Sequence, residues 1–211
     1  MERQNIGFIT GLAAEAALLR GTGFAVGIGG GTQAGARRAA EHLLAHGAQA
    51  LVSFGLAGGL RPGLRPGAVL VPDAVMEGGT RYPCDAALMA FLGGTTGEPI
   101  LAGEAIAATA SEKSALYARH HAPAIDLESG AVARTAAARG LPFAVLRAVA
   151  DPAERNLAPA ALIPLKPEGG INMAVILRSV AAHPGQIPGL LALARDATTA
   201  RNALRRAVGA L

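Results

Sequence analysis

A strand–helix–strand pattern at residues 124–153 constrains the fold more than any other stretch of this chain. Both predicted strands are apolar, Glu128 closes the first, and Asp151 closes the second. In an open parallel sheet, ligands bind beyond the carboxyl ends of the strands, so two acids at these ends indicate a functional site. A structural role fits equally well, because Glu128 lies near a helix start and Asp151 precedes Pro152 in a turn sequence.

Short apolar runs alternate with helical patterns along most of the sequence. The predicted strands lie at residues 5–10, 24–28, 50–55 and 68–75, within 100–110, and at both ends of the opening pattern. The predicted helices lie at residues 32–46, 111–120, 129–139, 171–182 and 188–208, and residues 76–97 are predicted to form a loop or an active-site lid. The alternation predicts one α/β domain over residues 1–211, in three layers, with a central mixed, mostly parallel sheet flanked by helices.

The composition narrows the range of partners and compartments. The formal charge of +4 comes mostly from scattered arginines, and no basic run is interleaved with stacking aromatics, so nucleic acid is not an expected partner. One cysteine, Cys84, excludes an intramolecular disulfide and fits a reducing compartment. Because no run of about 18 apolar residues occurs, we expect a cytoplasmic protein, with peripheral contact to the inner membrane left open.

The glycine-rich run GIGGGTQAGARR at residues 27–38 fits the G-x-G-x-x-A variant of the dinucleotide-binding fingerprint. No Asp or Glu occurs between Glu41 and Asp73, however, so the expected ribose-binding acid is missing, and no Gly-Lys pair follows as in a Walker A loop. The run is therefore either an anion-binding site at a helix N-terminus or a tight strand-to-helix turn. Its candidate anion-binding residues are Gly29, Gly30, Gly31 and Thr32.

Two other chemistries lack support in the sequence. His42 and His46 are spaced as two ligands on one helix face, but no further pattern supports a metal site, and we predict neither metal nor resident cofactor. Ser129 lies in L-E-S-G-A and not in the G-x-S-x-G nucleophile elbow, which argues against a serine hydrolase. The acids left at predicted strand ends are Glu15, Glu128 and Asp151.

Five motifs occur in a definite order between about residues 5 and 152: ITGLAAEAALL, GIGGGTQAGA, VSFGLAGGLRPGLRPGAVLVPDAV, AIDLESGAVA and LPFAVLRAVADPA. Together they resemble the nucleoside phosphorylase superfamily, which includes purine nucleoside phosphorylases and methylthioadenosine/S-adenosylhomocysteine nucleosidases. Their details look closest to the hopanoid-associated phosphorylase subgroup, to which removal of adenine from adenosylhopane is attributed.

The resemblance implies a role for each acid. Asp151 would donate a proton toward purine N7, because the adenine anion is a poor leaving group. Glu128 would hydrogen-bond the ribose hydroxyls, and Glu15 would activate water. The glycine-rich run would lie near the ribose and the nucleophile. Around the purine and ribose we expect Ala57, Gly58, Ile106 and Leu127. The resemblance also implies a homo-oligomer.

Departures from the superfamily pattern leave the nucleophile open. Leu56 replaces a serine and Ser53 replaces an arginine that normally help to hold phosphate, while Ala150 replaces the serine before the catalytic acid. Phosphorolysis, with phosphate as co-substrate, is slightly favoured on the resemblance, and hydrolysis is the alternative. For a lipid (hopane) 5′ substituent, Leu56 and the aliphatic segment at residues 157–165 would be the channel walls. The other hypotheses are a methylthioadenosine/S-adenosylhomocysteine-type nucleosidase and a non-catalytic nucleoside- or lipid-binding protein.

Overall fold

The computed structural model describes residues 2–166 and 168–211. Within them the strands are β1 (Ile6–Thr10), β2 (Ala25–Ile28), β3 (Ala50–Gly59), β4 (Val69–Leu70), β5 (Ala74–Glu77), β6 (Thr80–Pro83), β7 (Ile100–Ala102), β8 (Ala124–Asp126) and β9 (Phe143–Asp151). The helices are α1 (Ala13–Ala16), α2 (Gln33–Ala45), α3 (Ala86–Phe91), α4 (Ala110–His120), α5 (Ser129–Ala137), α6 (Met173–Ala182) and α7 (Ile187–Gly209).

Strand β3 lies at the centre of the sheet. It pairs in parallel with β1 and β9, and its last two residues, Gly58 and Gly59, pair antiparallel with β8. Beyond these strands, β2 continues the parallel pairing on β1, and β8 continues through β7 to β5 in parallel. Strands β6 and β4 pair antiparallel with β5 and β9. These pairings confirm the predicted mixed, mostly parallel sheet.

Helices cover both faces of the sheet, as the three-layer prediction requires. Alternate residues of β9 enter opposite cores: Val145 packs with the cluster that contains α2 and α5, and Leu146 packs with the one that contains α3 and α7. Helix α7 contributes the fully buried Ala200 and Leu204 to the second core. No α-helix in the described part of the chain is both long and apolar enough to span a membrane.

Two predicted boundaries in the first half of the chain are wrong. Strand β3 does not end at residue 55, because the glycine-rich segment after it stays paired with β9 as far as Gly58. The strand predicted at residues 68–75 is split into β4 and β5, with Pro72 between them. Proline has no N–H to donate to a strand ladder, which explains the break.

The prediction of a loop or lid at residues 76–97 is also wrong. The segment contains β6, which forms a hairpin with β5 around the two-residue turn Gly78-Gly79, and helix α3. The Asp85 side chain caps α3 by accepting a hydrogen bond from Leu88 N (2.9 Å), and Leu88 packs into the core. These contacts make the segment part of the sheet and of one core.

The two strands of the opening pattern are not parallel neighbours. Strand β8 ends at Asp126, so Glu128 lies at the start of α5, and β8 runs antiparallel to β3 whereas β9 runs parallel to it. Both strands nevertheless reach Gly58, which is paired with Ile125 of β8 and with Asp151 of β9. The register between β3 and β9 shifts between Ala57 and Gly58, as it does at a β-bulge. Bulges often change the direction of side chains at functional sites.

Candidate active site

The three predicted acids, Glu15, Glu128 and Asp151, border one cavity of about 600 Å³. Each is buried, with 2 to 7% of its surface exposed. The remaining residues predicted around a purine nucleoside border the same cavity: Ala57, Gly58, Ile106 and Leu127. Residues from five separate parts of the sequence therefore meet in one place.

The predicted anion-binding glycines form a strand-to-helix turn. Thr32 Oγ1 accepts a hydrogen bond from Gly35 N (3.1 Å) and so caps α2, and Gly30 and Gly31 have positive φ angles of 68° and 71°. Gly31 and Thr32 border a second, smaller pocket of about 340 Å³ that also contains the carboxyl-bearing Glu104. Gly29 and Gly30 line neither of these two cavities. An anion site here stays a prediction.

Glu15 projects from the short helix α1, and backbone groups hold both of its carboxylate oxygens. Oε2 accepts hydrogen bonds from Gly11 N (3.0 Å) and Leu12 N (2.8 Å), and Oε1 accepts one from Leu56 N (2.8 Å). Burial raises the pKa of Glu15 above its ordinary value, although Arg147 and the three backbone donors act in the opposite direction. The carboxyl group is thus fixed in position and has a raised proton affinity.

Glu128 lies at the N-terminus of α5 with its carboxylate against the loop after β1. A Cβ atom added to Gly11 would lie 2.2 Å from Glu128 Oε1, so only glycine allows this approach. Glu128 Oε2 accepts a hydrogen bond from Arg147 Nη2 (3.1 Å). Burial raises the pKa of Glu128 to about 7, with Arg147 opposing the rise and Asp126 and Glu15 adding to it.

Arg147 connects the acids from behind the cavity, and the sequence analysis missed it. It is 1% exposed and lies in the middle of β9, where it donates to Asp126 Oδ2 (2.9 Å), Ser53 Oγ (2.7 Å) and Glu128. Burial acts to lower the pKa of Arg147, but the neighbouring carboxylates outweigh it and the pKa is raised. A lone arginine in the apolar run FAVLRAVAD was the available signal, because a charged residue in a buried strand requires partners.

Asp151 forms a buried ion pair with Lys113 of α4, a second residue that sequence reasoning missed. The Lys113 ammonium also donates to the carbonyl oxygens of Pro152 (3.0 Å) and Arg155 (3.1 Å), so its three hydrogens have three acceptors. Burial raises the pKa of Asp151 above its ordinary value, and Lys113 opposes the rise. No motif around Lys113 indicated this pairing, which only the packing of α4 creates.

Aliphatic side chains form most of the remaining cavity wall. Leu56 borders it, as do residues of the segment 157–165, and their role as walls of a lipid channel stays a prediction. Helices α6 and α7 supply the far side. The apolar residues that line this part are Leu157, Ala160, Ala161, Ile163, Leu165, Ile171, Ile176, Leu190, Leu193, Ala194 and Ala197. The cavity therefore has a polar end with the acids and an apolar end.

A sequence model of the phosphorylase superfamily matches residues 7–95 and 96–180, which is most of the chain. The chain belongs to the phosphorylase superfamily. This confirms the resemblance drawn from the five ordered motifs; the finer assignment to the hopanoid-associated subgroup stays a prediction. None of the curated proteins matches the chain.

Solved structures share the fold of this phosphorylase-superfamily chain. The 5′-methylthioadenosine/S-adenosylhomocysteine nucleosidase of Neisseria meningitidis, in complex with methylthio-immucillin-A, has a TM-score of 0.70 at 16% identity over 96% of each chain. A mutant Helicobacter pylori enzyme of the same kind, with 5′-methylthioadenosine in its active site, has a TM-score of 0.69 at 16% identity over 100% of each chain. Futalosine hydrolase of Helicobacter pylori has a TM-score of 0.68 at 18% identity, covering 98% of this chain and 97% of its own.

Ser53 and Leu56 have definite places in this phosphorylase-superfamily site. Ser53 is fully buried behind the cavity, where its hydroxyl contacts Arg147 and the Ser129 hydroxyl (3.1 Å). Leu56 borders the cavity, and its backbone N–H holds Glu15. The resemblance implies that relatives carry a phosphate-binding arginine at the position of Ser53. Here the small Ser53 side chain accepts a hydrogen bond from Arg147 instead.

Proposed function

We propose that this phosphorylase-superfamily protein hydrolyses the N-glycosidic bond of an adenine nucleoside that carries a large apolar 5′ substituent, such as the hopane of adenosylhopane. The observation that carries the proposal is a single cavity with three buried carboxyl groups at one end and aliphatic walls along the rest. Such a cavity accommodates a polar nucleoside and an apolar chain joined at one carbon.

Asp151 is the proposed proton donor to the leaving base. As the C1′–N9 bond breaks, its electron pair passes to adenine, and the Asp151 proton moves to N7 so that a neutral base leaves. Burial is the largest influence on the pKa of Asp151 and favours the protonated carboxyl group that this step requires, although the contact with the Lys113 ammonium favours the charged form. A Cβ added at Gly58 would lie in van der Waals contact with both carboxylate oxygens of Asp151, at 3.5 and 3.7 Å, so glycine leaves this space to a ligand.

Glu128 and Glu15 are proposed to act on the sugar and on the nucleophile. Glu128 accepts hydrogen bonds from the ribose hydroxyls and so stabilises the positive charge that develops on the ring. Glu15 accepts a proton from a water molecule as the water oxygen bonds to C1′. Oε1 of Glu15 accepts one backbone hydrogen bond from the described residues, so it has a lone pair left for that water.

The charges around the cavity support water rather than phosphate as the nucleophile, although the family resemblance slightly favoured phosphate. Four carboxyl groups border the cavity, those of Glu15, Asp126, Glu128 and Asp151. Arg147 behind it is engaged by Asp126, Glu128 and Ser53, and Lys113 by its own three acceptors. Arg201 of α7 also borders the cavity, yet a phosphate dianion at the acids would meet four carboxyl groups whose neighbouring cations, Arg147 and Lys113, are already engaged.

The chemistry of the apolar end supports a lipid substituent. Its walls come from the segment at residues 157–165 and from α6 and α7, which offer mainly aliphatic carbon to a ligand, with Thr198 and Arg201 as the polar lining residues on α7. Burying an aliphatic chain there is favourable by roughly 25 cal/mol per Å² of apolar surface removed from water. The homo-oligomer expected from the resemblance stays a prediction.

A methylthioadenosine-type nucleosidase is the second candidate, because structures of such enzymes share the fold over the whole chain. That function needs room for one methylthio group, whereas the cavity here extends to α6 and α7. A non-catalytic nucleoside- or lipid-binding protein is the third candidate. The proton donor that Asp151 offers supports the enzymatic hypotheses over this one.

Adenine release from a series of 5′-alkylthioadenosines, from methyl to decyl, tests the proposal. We expect kcat/KM to rise with chain length and to be the same with and without phosphate. Asp151→Asn should lower kcat for the decyl compound by roughly 10²- to 10⁴-fold, because the leaving base loses its proton donor. Glu154→Gln, a change of an exposed carboxyl group close by in the sequence, is the matched control and should leave the rate unchanged.

Each part of the proposal has an outcome that contradicts it. A requirement for phosphate would replace hydrolysis by phosphorolysis. Highest activity on the methyl compound would favour the methylthioadenosine-type enzyme. Binding of the decyl compound without adenine release by the wild-type protein would favour the non-catalytic alternative.

A further inference from the structure

Helix α6 and the start of α7 expose large apolar side chains to solvent. None of the residues of α6 is buried, although Arg178 is the helix's single charged residue. Six of the nine large hydrophobic side chains that are exposed in the described part of the chain lie within residues 171–191. They are Ile171, Met173, Val175, Leu177, Ile187 and Leu191, with Leu177 62% exposed. Such clustering marks an interaction surface.

The net positive charge of the protein lies in the same part of the chain. Residues 1–165 contain thirteen Lys and Arg and thirteen Asp and Glu, whereas residues 166–211 contain six and two. The whole formal charge of +4 therefore falls in the last 46 residues. Arg201, Arg205 and Arg206 lie on the second half of α7, beyond the exposed apolar cluster. Lys166, Arg178 and Arg195 are exposed near the cluster together with one acid, Glu168, whereas the other acid, Asp196, pairs with Arg155.

The exposed apolar surface continues into the cavity. Ile171 and Ile176 border the cavity, while Met173 and Leu177, close to them in the chain, are 56 and 62% exposed. Helix α6 packs on two short 3-10 turns, Pro159–Leu162 and Pro184–Gln186, and the first of these also borders the cavity through Ala160. One side of α6 thus faces the apolar end of the site and another faces solvent.

We propose that α6 and the first turns of α7 dock on an anionic lipid bilayer, with their exposed apolar side chains at the boundary between headgroups and acyl chains. Two contributions hold an amphipathic helix on such a surface: the burial of its apolar side chains among the lipids, and the attraction of its cations to the anionic headgroups. A second copy of the chain fits less well, since a two-fold contact would bring two cationic surfaces together.

Docking would also place the apolar end of the cavity at the bilayer. This second part rests on the proposed function: an apolar substituent could then enter the site without crossing water, which would otherwise oppose its transfer. Binding to the bilayer itself depends only on the exposed side chains and the charge, so it can be measured without a substrate.

Co-sedimentation with vesicles tests the docking. We expect the wild-type protein to bind vesicles that contain phosphatidylglycerol, to bind pure phosphatidylcholine much less, and to dissociate as salt is added. Leu177→Glu should weaken binding by about tenfold or more, because it loses a buried leucine and gains a repelled charge. Ala137→Glu, which adds the same charge at an exposed position of α5, should bind like the wild type.

Leu177→Gln removes the apolar side chain without adding charge, so it separates the loss of apolar burial from charge repulsion. This variant should lose part of the vesicle binding. Absence of vesicle binding by the wild type, or equal binding by Leu177→Glu, would overturn the docking. A change in the oligomeric mass of Leu177→Glu with unchanged vesicle binding would assign the surface to self-association instead. Loss of vesicle binding leaves adenine release from a soluble substrate unaffected, so the docking and the proposed function fail separately.

Discussion

Gly11 determines how closely Glu128 can approach the loop after β1. A Cβ at this position would lie 2.2 Å from Glu128 Oε1, while Arg147 holds the other oxygen. We expect Gly11→Ala to displace the carboxylate and to lower kcat/KM for adenine release by about tenfold or more, because sugar-binding geometry tolerates little error. Steady-state kinetics measure this loss.

The control for this change is Gly185→Ala. A Cβ at Gly185 would meet no atom within 4 Å, and its φ angle is not positive, so the same substitution should leave kcat/KM unaltered. Equal kinetics for the Gly11 and Gly185 variants would contradict the role of Glu128 in holding the sugar.

Lys113 is expected to act as a positioning residue for Asp151. Burial raises the pKa of Asp151 and the Lys113 ammonium opposes this, so Lys113→Met should raise the pKa of Asp151 further. If protonated Asp151 is the donor, activity falls when this group loses its proton. The alkaline limb of the kcat/KM profile should therefore move to higher pH in Lys113→Met.

Two variants make this test specific. Lys113→Arg retains the positive charge and should keep the alkaline limb close to its wild-type position. Lys166→Met changes the other lysine of the sequence, which is exposed, and should leave the profile unchanged. An unshifted profile in folded Lys113→Met protein would mean that Asp151 is not the titrating donor.

At the scale of one element, the apolar residues of α7 fall into two groups with different surroundings. Ala200 and Leu204 pack into the core, whereas Leu193 and Ala197 border the cavity. We expect Ala197→Phe to fill part of the apolar end and to lower kcat/KM for 5′-decylthioadenosine by roughly tenfold or more, since a bulky side chain excludes the alkyl chain.

The methyl compound is the internal control for this variant. Its substituent is too short to reach α7 in the proposed binding mode, so its turnover should change little. A parallel loss for both substrates would indicate general damage to the site rather than a blocked channel, and no loss for the decyl compound would place the chain elsewhere.

For the whole molecule, the buried carboxyl groups make stability depend on pH. Burial raises the pKa of Glu128 to about 7 from an ordinary value of 4.5, and it also raises the pKa of Glu15 and Asp151. Between these values the folded protein holds a proton that the unfolded chain has lost. The stabilisation is therefore complete below about pH 4.5 and is lost as the pH rises to about 7.

Glu128 alone should account for a loss of about 2 kcal/mol in the free energy of unfolding between pH 5 and pH 8. Urea unfolding at both pH values should thus give a smaller difference for Glu128→Gln than for the wild type. Glu41→Gln, at an exposed site on α2, should keep the wild-type difference. A Glu128→Gln variant with the full wild-type difference would contradict this assignment.

Much of the fold followed from local patterns. The alternation of apolar runs and helical patterns predicted the layers and the sheet class. Gly47, with a φ angle of 96°, follows the end of α2 in the left-handed conformation that glycine adopts most easily there. The segment at residues 76–97 was missed because its Gly78-Gly79 turn and the short α3 are stabilised by pairing with β5 and by core contacts. Such non-local contacts leave little trace in a short sequence window.

The sequence by itself determined the superfamily and the sheet class and indicated the three acids as candidates, because the ordered motifs that contain these acids are local features of the chain. Only the tertiary structure decided which cations stand behind the acids. Arg147 reaches Asp126 and Glu128, and Lys113 reaches Asp151, through packing between elements distant in sequence. The apolar end of the cavity likewise exists only once α6 and α7 are placed, since the same leucines and isoleucines could equally have filled a core.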